Sequence, residues 1–256
     1  MQTRFILIET SHAGNVGATA RAMKVMGFSD LVLVRPRWSN VLRREETIQR
    51  ASGALDVLHN ARIVDALDDA LEGMTHLCAT AMTPRDFGPP TVEPRPHFAE
   101  LVEHTGVAFL FGSERYGMRN EDVYRCHACI RIPTNPQFGS LNLASAVQVL
   151  AYEWRLALGG FTNPEQNNAT TTPMPMPSST STSAPTSERA DAQQIAGLLS
   201  HWQEALTAID FLDPDSPKKL MPRLNQLLNR AGLTQEEVHI LRGIAKATLQ
   251  ASAVKR

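Results

Sequence analysis

The segment Ser11-His-Ala-Gly-Asn-Val-Gly-Ala-Thr-Ala-Arg21 places two glycines and an arginine directly after an apolar run. Gly14 and Gly17 allow a backbone to approach a ligand closely, and the N-terminus of the helix that follows favours an anion. Arg21 lies in the first turns of that helix. The sequence therefore indicates a ligand-binding loop, although an ordinary strand-to-helix turn with a surface arginine fits the spacing equally well.

A second segment, Phe111-Gly-Ser-Glu-Arg-Tyr-Gly-Met118, ends an apolar strand with a carboxylate at Glu114. A charge next to a buried strand must be paired or functional, because an isolated buried charge is costly. The alternative is structural, since Ser113 or Glu114 can satisfy the backbone donors at the start of a helix.

The third segment runs from Ile132 to Ala144. Pro133 and Pro136 stiffen a loop, and we expect Ser140 to cap the long helix that follows. Asn142 then lies in the first turn, where its amide can face a site. This segment can also be only a capped helix entry.

The elements that position these segments alternate between strand and helix. Apolar runs predict strands at 4–9, 31–34, 75–81, 107–111 and 128–132. Periodicity predicts helices at 18–26, 45–58, 65–72 and 140–158, and prolines predict a loop over 84–96. Strands that are apolar on both faces and separated by helices indicate a mostly parallel sheet covered on both sides. In such α/β sheets, ligands bind at the carboxyl ends of the strands.

Residues 162–187 are rich in Thr, Ser and Pro and predict a disordered linker. They divide the chain into a first domain, 1–161, and a helical extension, 188–256. Helices are predicted at 195–209, 218–231 and 234–251, and Thr234 begins a capping box for the last of them. Lys218, Lys219, Arg223 and Arg230, with nearby basic residues, can offer phosphates a basic face, although acidic residues in the extension offset them.

Composition narrows the class of protein. The 256 residues include 25 basic and 26 acidic side chains, for a formal charge of −1, which excludes a uniformly basic nucleic-acid protein. An odd count of 3 cysteines indicates a reducing compartment. No apolar run approaches the roughly 20 residues of a membrane span, and the N-terminus lacks signal-peptide features. We therefore expect a cytoplasmic protein without membrane association.

Two other binding chemistries fit poorly. The spacing of Gly14 and Gly17 does not match the dinucleotide fingerprint, and Arg35 ends the second strand where an acidic ribose ligand is expected. This disfavours a nucleotide-dependent oxidoreductase. Cys126 and Cys129 are spaced like half a zinc site, but the remaining cysteine cannot complete a four-sulfur site. The sequence therefore predicts no metal site.

Taken in order, the three segments resemble the motifs of the SpoU/TrmH branch of the SPOUT RNA methyltransferases. The matching patterns are Asn15-x-Gly17-x-x-x-Arg21, Phe111-Gly-x-Glu114-x-x-Gly117, and Ile132-Pro133 with Ser140-Leu-Asn142-Leu-Ala144. The resemblance covers residues 1 to about 160. The opening residues 9–17 and the helical tail are most similar to bacterial tRNA (cytidine/uridine-2′-O)-methyltransferases of the TrmJ type, which modify position 32 of the anticodon loop.

The resemblance implies a trefoil knot in the C-terminal part of the sheet, S-adenosylmethionine as cofactor, a homodimer and a tRNA anticodon stem-loop as substrate. It implies catalytic roles for Arg21, Ser140, Asn142, Glu114 and Asn15. The implied cofactor-binding residues are Thr80, Ala81, Met82, Leu110, Gly112, Ile132, Gly139, Ser140 and Leu141. The candidate RNA-binding residues are His12, Arg21, Arg115, Tyr116, Lys218, Lys219, Arg223 and Arg230.

Three questions stay open at this point. Arg21 can act as a base or, as we prefer because a guanidinium is a poor base, as a fixed charge that stabilises the developing alkoxide. Glu114 can fix either Arg21 or the loops. The substrate can be another tRNA or rRNA site, and a non-catalytic RNA-binding protein with the same fold is the alternative to an enzyme.

Overall fold

A computed structural model describes residues 1–81, 85–161, 188–216 and 218–253. Its described residues form one seven-stranded sheet in the order β3-β2-β1-β6-β4-β7-β5. All of the strand pairs are parallel. The strands are β1 Gln2–Ile8, β2 Asp30–Val34, β3 Arg62–Val64, β4 His76–Thr80, β5 Thr91–Val92, β6 Gly106–Phe111 and β7 Ala128–Ile130.

Helices cover both faces of this sheet, as the apolar strands predicted. In β1, Phe5 and Leu7 belong to one buried cluster, whereas Ile6 and Ile8 belong to the cluster on the opposite face. The helices are α1 Ala13–Val25, α2 Glu45–Ala51, α3 Leu55–Asn60, α4 Leu67–Leu71, α5 Pro94–Glu100, α6 Asn120–Tyr124, α7 Leu143–Ala157, α8 Ala192–Ala208, α9 Leu220–Ala231 and α10 Gln235–Ala253. The α/β class and the added helical region are confirmed, while the trefoil knot stays an expectation from the family.

The first helix begins earlier than predicted. Both Gly14 and Gly17 are buried within α1 and do not form a ligand loop. A Cβ on Gly17 would lie 2.0 Å from the backbone oxygen of Thr47 in α2. The prediction of a glycine loop here was wrong, because this glycine serves the close contact between two helices.

Two further predictions of secondary structure were wrong in detail. The helix predicted over 45–58 is two helices, since Ser52 has a φ of 52° between α2 and α3. The loop predicted over 84–96 contains β5 and the start of α5. Pro94 fits α5 because it stands at the beginning of the helix, where a backbone amide needs no helical partner.

The helical extension, called the helical region below, packs through its own small core, which includes Leu198, Leu228 and Val238. The capping box at Thr234 is confirmed by reciprocal hydrogen bonds with Glu237, of 2.8 and 3.2 Å. This region also touches the first domain, since the backbone N–H of Ala192 donates to the oxygen of Met74 at 3.0 Å. Among the described residues, no helix is both long and apolar enough to cross a membrane.

Candidate active site

The carboxyl ends of β1, β6, β4 and β7 lie at one edge of the sheet, where a parallel α/β fold places its ligand. A cavity of about 1100 Å³ opens at this edge. It is lined by most of the residues that the sequence singled out: His12, Asn15, Thr80, Ala81, Gly112, Glu114, Arg115, Tyr116, Ile132, Gly139, Ser140, Leu141 and Asn142.

Glu114 is the centre of a hydrogen-bond network that holds the loop after β1. Its carboxylate accepts from the hydroxyl of Thr10 at 2.9 Å and from the backbone and hydroxyl of Ser11 at 2.7 and 2.8 Å. It also accepts from the backbone of His12 at 3.3 Å and from the amide of Asn15 at 2.9 Å. Within one chain, Glu114 therefore holds the loop after β1.

The network keeps Glu114 ionised. Burial works to raise the pKa of this carboxyl, but the hydrogen bonds from Asn15 and Ser11 outweigh it and lower the pKa from 4.5 to about 2. At neutral pH the side chain is consequently a fixed acceptor.

Asn15 links this carboxylate to the third segment. Its amide nitrogen donates to Glu114, so its oxygen accepts from the amide of Asn142 at 3.0 Å. The oxygen of Asn142 in turn accepts from the backbone of Ala144 at 3.0 Å and caps α7. The prediction that Ser140 is the cap was wrong, since α7 begins only at Leu143, and Ser140 is left exposed on the cavity wall.

A tight turn follows β6 in place of the helix start that we considered for Ser113 and Glu114. Ser113 and Gly117 exchange backbone hydrogen bonds of 3.1 and 2.8 Å. A Cβ on Gly112 would lie 2.2 Å from the carbonyl carbon of Gly117. The glycine is needed for this turn, which aims Glu114 back towards the loop after β1.

The predicted cofactor residues are mostly brought together. Thr80, at the end of β4, donates its hydroxyl to the backbone oxygen of Leu110 at 2.9 Å. Leu110 itself is fully buried within β6 and does not line the cavity. Met82 lies outside the described residues.

Among the predicted catalytic residues, Arg21 is the one that the structure does not bring to the cavity. It is exposed on α1, and the cavity of its own chain is lined without it. By contrast, His12, Arg115 and Tyr116 are exposed and line the opening, where Tyr116 is 84% accessible.

Sequence reasoning missed two arginines of the cavity wall, Arg85 and Arg131. The Nε of Arg85 is buried and has no hydrogen-bond partner among the residues that the structure describes. Arg131 directly follows β7, within the strand that the sequence predicts over 128–132. Both arginines come after the end of a strand, and ligands bind at such ends in a parallel sheet, so this position could have indicated them from the sequence.

The basic residues of the extension separate into two groups. Lys219 and Arg223 lie over the ring of Phe87, at 3.8 and 4.9 Å from its centroid, on the loop that follows the cavity residue Arg85. Lys218 is exposed beside them. Arg230 instead lines a different cavity, below the helical region.

Two family models match separate parts of the chain. Residues 2–152 match the SpoU rRNA methylase family model. Residues 193–256 match the model of the C-terminal domain of the tRNA methyltransferase TrmJ.

Similar proteins cover nearly the whole chain. The chain is 41% identical over 253 residues to a tRNA (cytidine/uridine/adenosine-2′-O-)-methyltransferase TrmJ of Pseudomonas aeruginosa, covering 96% of this chain and 93% of the relative. It is 39% identical to a tRNA (cytidine/uridine-2′-O-)-methyltransferase TrmJ of Yersinia enterocolitica, covering 94% and 89%. The crystal structure of TrmJ from Z. mobilis ZM4 superposes with a TM-score of 0.78 at 27% identity, covering 96% of this chain and 99% of that one.

Proposed function

The chain belongs to the SpoU methylase family, and from that premise we propose that it methylates the ribose 2′-hydroxyl of a pyrimidine in tRNA. The finer form of the proposal is transfer from S-adenosylmethionine to cytidine or uridine 32 of the anticodon loop. An enzyme with this substrate acts in the cytoplasm.

One observation carries the proposal. The Glu114–Asn15–Asn142 hydrogen-bond chain joins the first, second and third family motifs at one cavity, in a chain that also matches the TrmJ C-terminal model. Glu114 and Asn15 are half-buried and Asn142 is exposed on the cavity wall, so a fixed network presents an amide to a substrate bound there. A protein that only binds RNA has no need for such an arrangement.

The cavity suits S-adenosylmethionine, which supplies an electrophilic methyl group. Its wall combines apolar side chains, Ile132 and Leu141 among them, with the backbone of the loop that carries Gly139 and Ser140. Such a mixture matches an adenosine joined to an amino acid. The buried Nε of Arg85, which has no hydrogen-bond partner within the described ranges, is a donor that fits the carboxylate of the amino-acid part.

The residues of this chain prepare a poor nucleophile. Ser140 and Asn142 would orient the ribose 2′-oxygen. Because the attacking atom is then already in place, the reaction step itself loses little further entropy. Asn15 and Glu114 are positioning residues, because their hydrogen bonds fix the orientation of the Asn142 amide that meets the substrate.

Arg21 would reach the site from the partner subunit of a homodimer. This role fits its exposure on α1 and its absence from the cavity wall of its own chain. A guanidinium is a poor base at neutral pH, so Arg21 would hold the adjacent phosphate and stabilise the negative charge that develops on the 2′-oxygen.

The three parts of the chain would have separate tasks: 1–161 for catalysis, 162–187 as a linker and 188–256 for tRNA binding. The linker residues lie outside the described ranges. Lys219 and Arg223 support the binding task, because they lie on the side of the helical region that meets Phe87, near Arg85 of the cavity.

Mass spectrometry of ribonuclease-digested tRNA tests the proposal. Unmodified tRNA is incubated with the full chain and S-adenosylmethionine that carries a labelled methyl group. We expect the label on the ribose of residue 32. Label at another residue would reject the finer form, and the absence of any label would reject the methyltransferase itself.

A further inference from the structure

A second cavity, of about 510 Å³, lies at the opposite end of β4, between the first domain and the helical region. Histidines from four separate segments meet there: His76, His97, His104 and His127. The rings of His104 and His127 both lie 4.7 Å from that of His76, measured between centroids. The proposed methyl transfer uses none of these side chains.

We propose that His76, His97 and Cys78 form a binding site for Zn²⁺. His76 and Cys78 are two residues apart in β4 and so point to the same face of the sheet. His97 comes from α5, and the ligand atoms of all three lie within 4.8 Å of one another. Imidazole nitrogen and thiolate sulfur are the donors that zinc prefers.

The two histidines already have the separation that zinc requires. Their Nε2 atoms lie 3.3 Å apart. With Zn–N bonds of about 2.0–2.1 Å, neighbouring nitrogens of a tetrahedral site are roughly 3.3–3.4 Å apart. The sulfur should be roughly 3.6 Å from each nitrogen, so the Cys78 side chain has to move by little more than about 1 Å.

The surroundings of His97 favour ligation. Its Nδ1 lies 3.9 Å from the carboxylate of Glu100, while its Nε2 faces His76. Glu100 is exposed, so a small movement would bring its carboxylate within hydrogen-bond distance of this Nδ1, where it would fix the proton on the outer nitrogen and leave the inner lone pair for the metal.

The other two histidines lie outside the group of residues whose ligand atoms are within 4.8 Å of one another. The Nδ1 of His127 accepts from the backbone N–H of Leu77 at 3.1 Å, so its proton is on Nε2. The Nε2 of His104 faces the guanidinium of Arg189 at 3.4 Å. The site therefore has three protein ligands, and a water from the cavity would fill the fourth position.

Zinc binding releases one proton and moves another. The Cys78 thiol loses its proton to solvent when the Zn–S bond forms. The proton shared between the two Nε2 atoms moves to an Nδ1, so both rings offer a lone pair. The bound ion would join β4 to α5 directly below the helical region.

Calorimetric titration of the metal-stripped full chain with ZnCl₂ tests the site. We expect one equivalent to bind and the midpoint of thermal unfolding to rise, because the ion binds only the folded state. His97→Gln should weaken binding by about 100-fold or more, since the loss of a ligand exceeds the usual second-shell penalty. His104→Gln is the matched control and should retain the affinity within a few-fold.

Cobalt provides a readout that does not depend on the stability of a variant. Co²⁺ bound to the unsubstituted chain should give the thiolate-to-metal charge-transfer band in the near ultraviolet, and Cys78→Ser should abolish that band. Absence of zinc binding, equal loss in His97→Gln and His104→Gln, or a cobalt complex without a thiolate band would each overturn the proposal.

Discussion

The two cavities lie at opposite ends of β4 and stabilise opposite charge states. At the carboxyl end, donors around Glu114 lower the pKa of its carboxyl to about 2 and keep it charged. At the amino end, burial lowers the pKa of the His127 ring to about 3 and keeps it neutral. Burial alone therefore does not decide whether a group is ionised, because the hydrogen-bond donors that accompany it can reverse its effect.

The two ends also differ in how they are assembled. Glu114, Asn15 and Asn142 each belong to a continuous motif, and each follows a strand that ends at the same edge. The histidines come from segments that no motif connects. A ligand is thus expected at the first end from sequence alone, whereas the second end becomes visible only in three dimensions.

Arg21→Ala is expected to give the largest effect at the carboxyl end. Loss of one preorganised charge in an active site lowers the rate by about 10³-fold, whereas the affinity for S-adenosylmethionine should change by no more than a few-fold. Methyl transfer to tRNA and calorimetry measure the two quantities. Arg50→Ala, on the exposed end of α2, is the control, and near-normal turnover of the Arg21 variant would contradict the assigned role.

Gly17→Ala should damage the support of the same site. The added Cβ would lie 2.0 Å from the Thr47 oxygen, which is backbone and cannot rotate away. We expect a loss of about 3 kcal/mol in the free energy of unfolding, measured by urea denaturation. Gly53→Ala is matched to it, because nothing lies within 4 Å of a Cβ at that position. Equal stability of the two variants would show that α1 and α2 can separate at no cost.

The motifs predicted most of the cavity wall, because strand ends in a parallel sheet meet at one edge whatever the details of packing. They did not predict that Gly17 lies inside a helix, since the same residue type serves a loop or a close helix contact. Nor did they predict the partner of Glu114. Its contacts with the loop after β1 depend on a turn at Gly112, which only the three-dimensional arrangement reveals.

Glu114→Gln should cost about 2 kcal/mol of stability at neutral pH, because its amide nitrogen cannot accept the hydrogen bonds of the loop. The effect depends on pH with a defined sign. The pKa in the folded state is below the usual 4.5, so the carboxylate stabilises the fold above pH 4.5 and loses this contribution as the pH falls towards 2. Urea unfolding should therefore show a smaller gap between variant and unsubstituted chain at pH 3 than at pH 7. A gap that is constant with pH would contradict the charged network.

Phe87→Leu should give the smallest effect, and it tests whether the helical region serves the carboxyl-end cavity. Leucine keeps the apolar surface but removes the ring that holds Lys219 and Arg223. Cation–π contacts of this kind contribute about 0.5–1 kcal/mol, so the affinity for tRNA should fall by roughly three-fold in a filter-binding titration. Phe211→Leu changes an exposed position of the helical region and should leave the affinity for tRNA unchanged. If the two variants bind tRNA equally well, the contact with Phe87 serves only to hold the helical region against the first domain and does not position Lys219 and Arg223 for RNA.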